Sequence, residues 1–225
     1  MWFNLTKGND MKKMITIFAV ATFASTAVMA NEMQNKWYGG VGLGQSNLSF
    51  NSEDFRVNPA ISDAGYTAST YDRSEDTSYS LYGGYRFNKN FSAKVEYANF
   101  GTQKWGYNIT DGNANSNVNI KALSVAAVGE YPVAEKVSVL GELGAYYYDA
   151  KRSPTHSGTV VPLTGTPEGS SDNGIKPFVS VGLQYDVTNQ VSVIGKYAYY
   201  GKIGNQESVG RVKLNNVSVN LQYNF

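Results

Sequence analysis

Residues 216–225 run NVSVNLQYNF: Val217, Val219, Leu221, Tyr223 and Phe225 alternate without interruption with Asn216, Ser218, Asn220, Gln222 and Asn224. Successive side chains of a β-strand point to opposite faces, so ten residues of strict period two describe a strand with one apolar and one polar face. Moving outward from this segment, the same pattern recurs around three short turns. Tyr85, Tyr131 and Tyr185 each lie six residues before an apolar residue that opens the next strand, namely Phe91, Val137 and Val191. Ser92, Ser138 and Ser192 follow these openers, then Ala93, Val139 and Val193; Tyr97, Leu143 and Tyr197 come twelve residues after each Tyr. The spacing describes an internal hairpin repeat with constant turn geometry.

Eight strands result, at about 37–47, 77–87, 91–100, 118–131, 137–148, 175–187, 191–200 and 211–225. Three connections are short, centred on 88–90, 133–136 and 188–190. Four are long, at roughly 48–76, 101–117, 149–174 and 201–210, and rich in Ser, Thr, Asn, Gly and Asp. No segment of helical period and adequate length follows residue 30. Long connections on one rim and short turns on the other predict an all-β fold, an eight-stranded antiparallel up-and-down transmembrane β-barrel with both termini on the periplasmic side.

Composition narrows the function classes. The 225 residues include no Cys and one His, against 17 Tyr and 23 Gly. A disulfide framework, a thiol nucleophile and a zinc-thiolate site are thereby excluded, and no metal or cofactor is expected. Mean hydropathy is −0.33, too polar for a bundle of membrane helices, each of which needs roughly 20 apolar residues. A formal charge of +1 predicts no nucleic-acid partner.

The N-terminal thirty residues look like a cleaved leader. Met11, Lys12 and Lys13 open a basic region, Met14 to Met29 is uncharged and mostly apolar, and Val28 and Ala30 occupy the −3 and −1 positions of a cleavage site before Asn31. Residues 1–10 precede this better start at Met11. The expected organisation is therefore an extension and signal peptide over 1–30 and a barrel domain over 31–225.

Alternation alone does not say which face meets lipid, since a soluble barrel would bury its apolar face. Aromatic residues decide it. Trp37, Tyr85, Phe87, Phe91, Tyr131, Tyr185, Tyr223 and Phe225 cluster at the short-turn rim, with Tyr79, Tyr97, Tyr147, Tyr197 and Tyr199 toward the other. Two aromatic girdles flanking an aliphatic band match the two interfaces of a bilayer. The interface set is headed by Trp37, Tyr85, Phe91, Tyr131 and Tyr185. The opposite face carries Arg86, Lys94, Glu96, Glu130, Glu142, Asp186 and Lys196, expected as a charged cluster inside the barrel. A Lys turned to the bilayer midplane would cost about 2–4 kcal/mol, so a one-residue slip of register is strongly disfavoured.

The segments WYGGVGLGQS from Trp37, LYGGYRFNKNFSAKVEYANFG from Leu81 and SVGLQYDVTNQVSVIGKYAYYG from Ser180, with the pair Tyr131-Pro132, resemble the transmembrane domain of the OmpA family. The resemblance covers essentially all of 36–225. It implies location in the bacterial outer membrane, a surround of outer-membrane lipid and lipopolysaccharide, and handling by periplasmic chaperones and the barrel assembly machinery. Leu221, Tyr223 and the terminal Phe225 are similar to the C-terminal signal which that machinery recognises. OmpA proper continues into a peptidoglycan-binding domain, whereas this sequence ends at the eighth strand, so a cell-wall tether is not carried over. Stand-alone barrels of the OmpX/Ail type are the closer comparison.

An eight-stranded lumen is narrow enough for side chains to fill, and Tyr38, Tyr82, Lys94, Glu142, Tyr146 and Lys196 are expected there. A general-diffusion porin is thereby disfavoured. The Gly-rich run Gly39 to Gly44 lies in a strand with no helix after it, so it serves wall packing rather than phosphate binding. The expected function is a non-enzymatic, monomeric barrel with a structural or surface-interaction role: envelope integrity, adhesion or host-factor binding through its long loops. The alternatives are a narrow porin-like channel and a lipid-modifying enzyme. The enzyme would have to use His156 near Ser153 and Ser157, in a loop and without an orienting carboxylate. Mass spectrometry of the protein recovered from outer membranes is expected to show Asn31 as its first residue; a mature chain retaining 14–29 would contradict the leader.

Overall fold

The computed structural model describes residues 37–50, 69–73, 75–109, 112–158, 169–204 and 212–225. The expected leader lies outside them, as does most of the first long connection. The strands are β1 (Trp37–Phe50), β2 (Ser69–Arg73), β3 (Glu75–Arg86), β4 (Phe91–Ile109), β5 (Gly112–Ala134), β6 (Val137–Gly158), β7 (Ser171–Asp186), β8 (Val191–Ile203) and β9 (Val212–Asn224). All pairings are antiparallel. β1 joins β3 and β9, and the ring continues from β3 through β4, β5, β6, β7 and β8 back to β9. The short β2 adds to β4 above β3, with Arg73 opposite Lys104, so the closed wall has eight staves. Closure satisfies backbone groups that lipid cannot and leaves no open sheet edge to meet it.

The stagger of this wall is explicit in the register. Trp37 pairs with Tyr85, and successive partners are Ala93, Ala127, Leu143, Val179, Tyr199 and Asn215, which returns to β1 at Asn47, ten residues along from the start. With about 3.3 Å per residue and about 4.8 Å between strands, that stagger tilts the staves by about 40°.

The strands are longer than the sequence pattern predicts. Residues 101–109 and 112–117 continue as a β4–β5 hairpin, and 149–158 extend β6, where long loops were expected. The reason is an inversion of polarity along the staves. On β9, Val217, Val219, Leu221 and Tyr223 face outward, whereas higher up Val212 and Leu214 face inward and Lys213 is exposed. On β5, Leu123 faces outward while Val118 and Ile120 are buried, with Lys121 exposed. The lower half of the wall is dissolved in lipid, apolar side out. The upper half stands in water, apolar side in, so its alternation has the opposite phase.

Two of the three short turns share the geometry implied by the repeat. The amides of Phe87 and Asn88 donate to Phe91 O, and those of Val187 and Thr188 donate to Val191 O. Asn88 Oδ1 accepts from the Asn90 and Phe91 amides, and Thr188 Oγ1 accepts from those of Gln190 and Val191. The β5–β6 turn departs from it. Pro132 sits at a register shift, between Pro132 and Ala134, and the turn tightens to Glu135-Lys136.

The inversion decides what a substitution costs on each face and at each level of the wall. Leu221→Lys, on the lipid side, is expected to lower stability by about 2–4 kcal/mol. Leu214→Lys should also be destabilising, because it leaves an unpaired charge among apolar side chains. Lys121→Leu, two residues from lipid-facing Leu123, should stay within about 0.5 kcal/mol. Urea unfolding of the barrel in phosphatidylcholine vesicles measures all three.

Candidate functional site

The lumen is the place where polar chemistry concentrates. Residues two apart on one strand share a face, so Lys94 and Glu96 of β4 both point inward. Glu142 enters from β6, and Lys196 from β8 on the opposite side of the ring. The four form one alternating ionic quartet. Lys94 Nζ donates to Glu142 Oε1 at 2.5 Å and lies 2.7 Å from Glu96 Oε2. Lys196 Nζ donates to Glu96 Oε2 at 2.9 Å, with Glu142 Oε2 at 3.8 Å. Side-chain exposures are 5–6%, so these charges depend on one another for the interaction energy that water would otherwise supply. The Lys94 ammonium also sits 5.3 Å from the centre of the Tyr82 ring, within cation–π range.

The other three expected lumen charges lie apart, toward the short-turn rim. Arg86 is 3.8 Å from Glu130 and donates to Asn224 Oδ1 at 2.6 Å. Gln184 donates to Glu130 at 3.3 Å and to Asp186 at 2.8 Å, and Ser192 donates to Asp186 at 2.7 Å. Between the two tiers sits an apolar trio, Val128, Leu140 and Ile194. The expected single cluster is thus two networks. A cavity of about 20 Å³ lies between them, lined by Tyr82, Lys94, Glu142 and Asn220 among others. Tyr82 Oη, Glu142 Oε2 and Asn220 Oδ1 have no hydrogen-bond partner among the described residues; a space of about 10–15 Å³ admits a water molecule.

Above the quartet the lumen is closed by aromatic rings, a feature the sequence reasoning missed apart from Tyr146. Phe100, Tyr146, Phe178 and Tyr200 meet with centroid distances of 4.9–6.2 Å, and Phe178 stacks on Tyr200 at 17°. Leu48, Ile120, Ile203, Val212 and Leu214 complete the packing. The available signal was a gap of three where period two requires two, as between Leu214 and Val217.

The expected assembly signal and interface aromatics lie on the outer surface. Leu221, Tyr223 and Phe225 face outward, and the Phe225 amide donates to Trp37 O at 3.0 Å, joining the two ends of the wall. Trp37 and Tyr85 meet edge to face at 4.9 Å, and Phe91, Tyr131 and Tyr185 are exposed near the same rim. His156 lies on β6, opposite Ala114 of β5, rather than in a loop, because β6 continues above the lipid band.

Breaking the quartet from one side should be costly. Glu142→Gln is expected to destabilise by about 3–5 kcal/mol, while the double replacement Lys94→Met with Glu142→Leu should lie closer to wild type. Urea unfolding in vesicles discriminates the two; equal losses would argue against a coupled network.

Comparison with known proteins places this geometry. The family model for the OmpA-like transmembrane domain matches residues 32–225. Outer membrane protein A of Yersinia pseudotuberculosis is 25% identical over 217 residues, 96% of this chain and 56% of that protein; the chain thus spans about half the length of that relative. Among solved structures, Neisserial surface protein A has a TM-score of 0.53 at 16% identity, covering 84% of this chain and 97% of the other. The attachment invasion locus protein Ail of Yersinia pestis, in complex with the heparin analogue sucrose octasulfate, has a TM-score of 0.49 at 16% identity, covering 86% and 100%. A closed eight-stave wall with aromatic rims and a family match over nearly its whole length make this chain a member of the OmpA-like transmembrane domain family, an integral β-barrel of the outer membrane.

Proposed function

We propose that this protein is a sealed structural barrel that presents its upper wall and connections at the cell surface, serving envelope integrity, adhesion or host-factor binding. The carrying observation is the combination of a filled lumen with staves that outrun the lipid. The quartet spans the lumen between β4 and β8, and the aromatic cluster fills it immediately above. The side chains of both layers are buried, which weighs against the channel reading. The upper β4, β5 and β6 are meanwhile held by a ladder that runs out to Gly112 opposite Gly158. Connections rooted on such a wall start from fixed positions, and rigidly held loops are where binding residues concentrate. Lipid and lipopolysaccharide around the band, and the assembly machinery acting on Leu221, Tyr223 and Phe225, complete the proposed partners. The barrel acts as a monomer.

Two measurements test this reading. Replacing 51–68 and 159–168 by short turns is expected to leave heat-dependent gel mobility unchanged while abolishing attachment of expressing cells to host surfaces; retained attachment would sink the loop assignment. Planar-bilayer recordings of the intact protein are expected to show no steady open level.

A further inference from the structure

We propose that the outer faces of β8 and β9, just above the lipid band, bind a phosphate of an outer-leaflet glycolipid headgroup, with Lys202 and Lys213 as its ligands. Lys202 and Lys213 are direct cross-strand partners and both are exposed. Like charges directly opposite one another destabilise a sheet. Among the described residues neither forms an ion pair, and the other neighbour of Lys213 is Ser49 of β1. The contrast is on the same belt: Lys151 lies 3.6 Å from Asp149, and Lys121 faces Asp149 across the strand pair. An anion between the two unpaired ammonium groups turns their repulsion into attraction.

The surface below this pair has the order of a phosphorylated glycolipid. Val217 and its cross-strand partner Tyr197 face outward within the band, at the height of acyl chains. Asn215 lies one step higher, opposite Tyr199, and accepts from the Tyr197 hydroxyl at 3.3 Å. It offers an amide at the height of sugar hydroxyls. The two lysines stand above it, where a phosphate on the sugar would be. Apolar band, amide and paired cations therefore follow one another along the stave as chain, sugar and phosphate do along the lipid.

The inference deepens the lipid partnership of the proposed function. It rests on the outer-membrane placement, and its test is independent of both adhesion and conductance. Wild type, Lys202→Gln/Lys213→Gln, Lys202→Arg/Lys213→Arg and Lys121→Gln are folded into phosphatidylcholine vesicles alone, with diphosphorylated lipid A, or with dephosphorylated lipid A. Bound glycolipid per barrel is read by native mass spectrometry, and stability by the urea midpoint. Phosphorylated lipid A should bind and stabilise wild type and the Arg variant. The Gln pair should bind it roughly thirtyfold more weakly, as the loss of two cations at an anionic surface implies, while Lys121→Gln stays near wild type. In phosphatidylcholine alone the Gln pair should be no less stable than wild type, because the like-charge pair is gone. Equal binding by wild type and the Gln pair, or equal binding of the dephosphorylated lipid, would overturn the assignment.

Discussion

A wall closed by backbone hydrogen bonds has no freedom of width. Eight staves and a ten-residue stagger set the lumen's diameter, and inward side chains must fill that cross-section without exceeding it. The glycines show how tightly this binds. A Cβ on Gly84 would overlap the Tyr38 ring, one on Gly40 the Tyr82 ring, and one on Gly144 would press on Phe178 and the backbone of β5. Each large ring is matched by a missing side chain on a neighbouring stave. Gly42 and Gly44 likewise leave space for Asn220 and Ser218. The Gly39 to Gly44 run thus consists largely of room for side chains arriving from β3 and β9, and an added methyl group would force strain of about 1–3 kcal/mol.

The same wall passes through two solvents, and the inversion follows from that. Within the bilayer the outer face must be apolar, so the polar half of each alternation is driven inside, where it has to pair with itself. This is why Lys94, Glu96, Glu142 and Lys196 meet as a set with two charges of each sign. Above the bilayer, water favours polar residues outside and the hydrophobic effect assembles Phe100, Tyr146, Phe178 and Tyr200 within. Ionic and aromatic layers are therefore successive consequences of one boundary crossing the strands, and together they fill the lumen.

Strand number, lower boundaries, rim aromatics and the inward direction of the charges were legible because the lipid-facing segments keep strict period two and a single phase. The upper staves were not, because a pattern that shifts phase at Leu214 to Val217, or between Ile120 and Leu123, looks locally like a loss of pattern. Asn, Ser and Lys on the watery outer face then resemble loop composition. Charge pairing was beyond reach for a geometric reason. Lys196 meets Glu96 across the ring, β8 to β4, and only the stagger brings the two to one height. The β5–β6 hairpin misled in a smaller way: Pro132 preserves the spacing of the repeat while altering its turn.

Filling and wall are coupled most directly at β7 and β8. Their ladder stops at Val179 opposite Tyr199, and the next step along each strand carries Pro177, which has no amide hydrogen, and Gly201, held at φ +73°. Above that level β7 continues on β6, and β8 continues on β9. The carbonyl of Tyr200 accepts instead from the Tyr146 hydroxyl at 2.6 Å, and Phe178 stacks on the Tyr200 ring. Side chains rooted on β6 and β7 thereby fasten β8 where backbone bonds do not. Tyr146 is fully buried, so its ring fills the lumen while its hydroxyl substitutes for a missing rung. Removing that hydroxyl alone would leave the packing intact and loosen the wall, which separates the two roles of one residue.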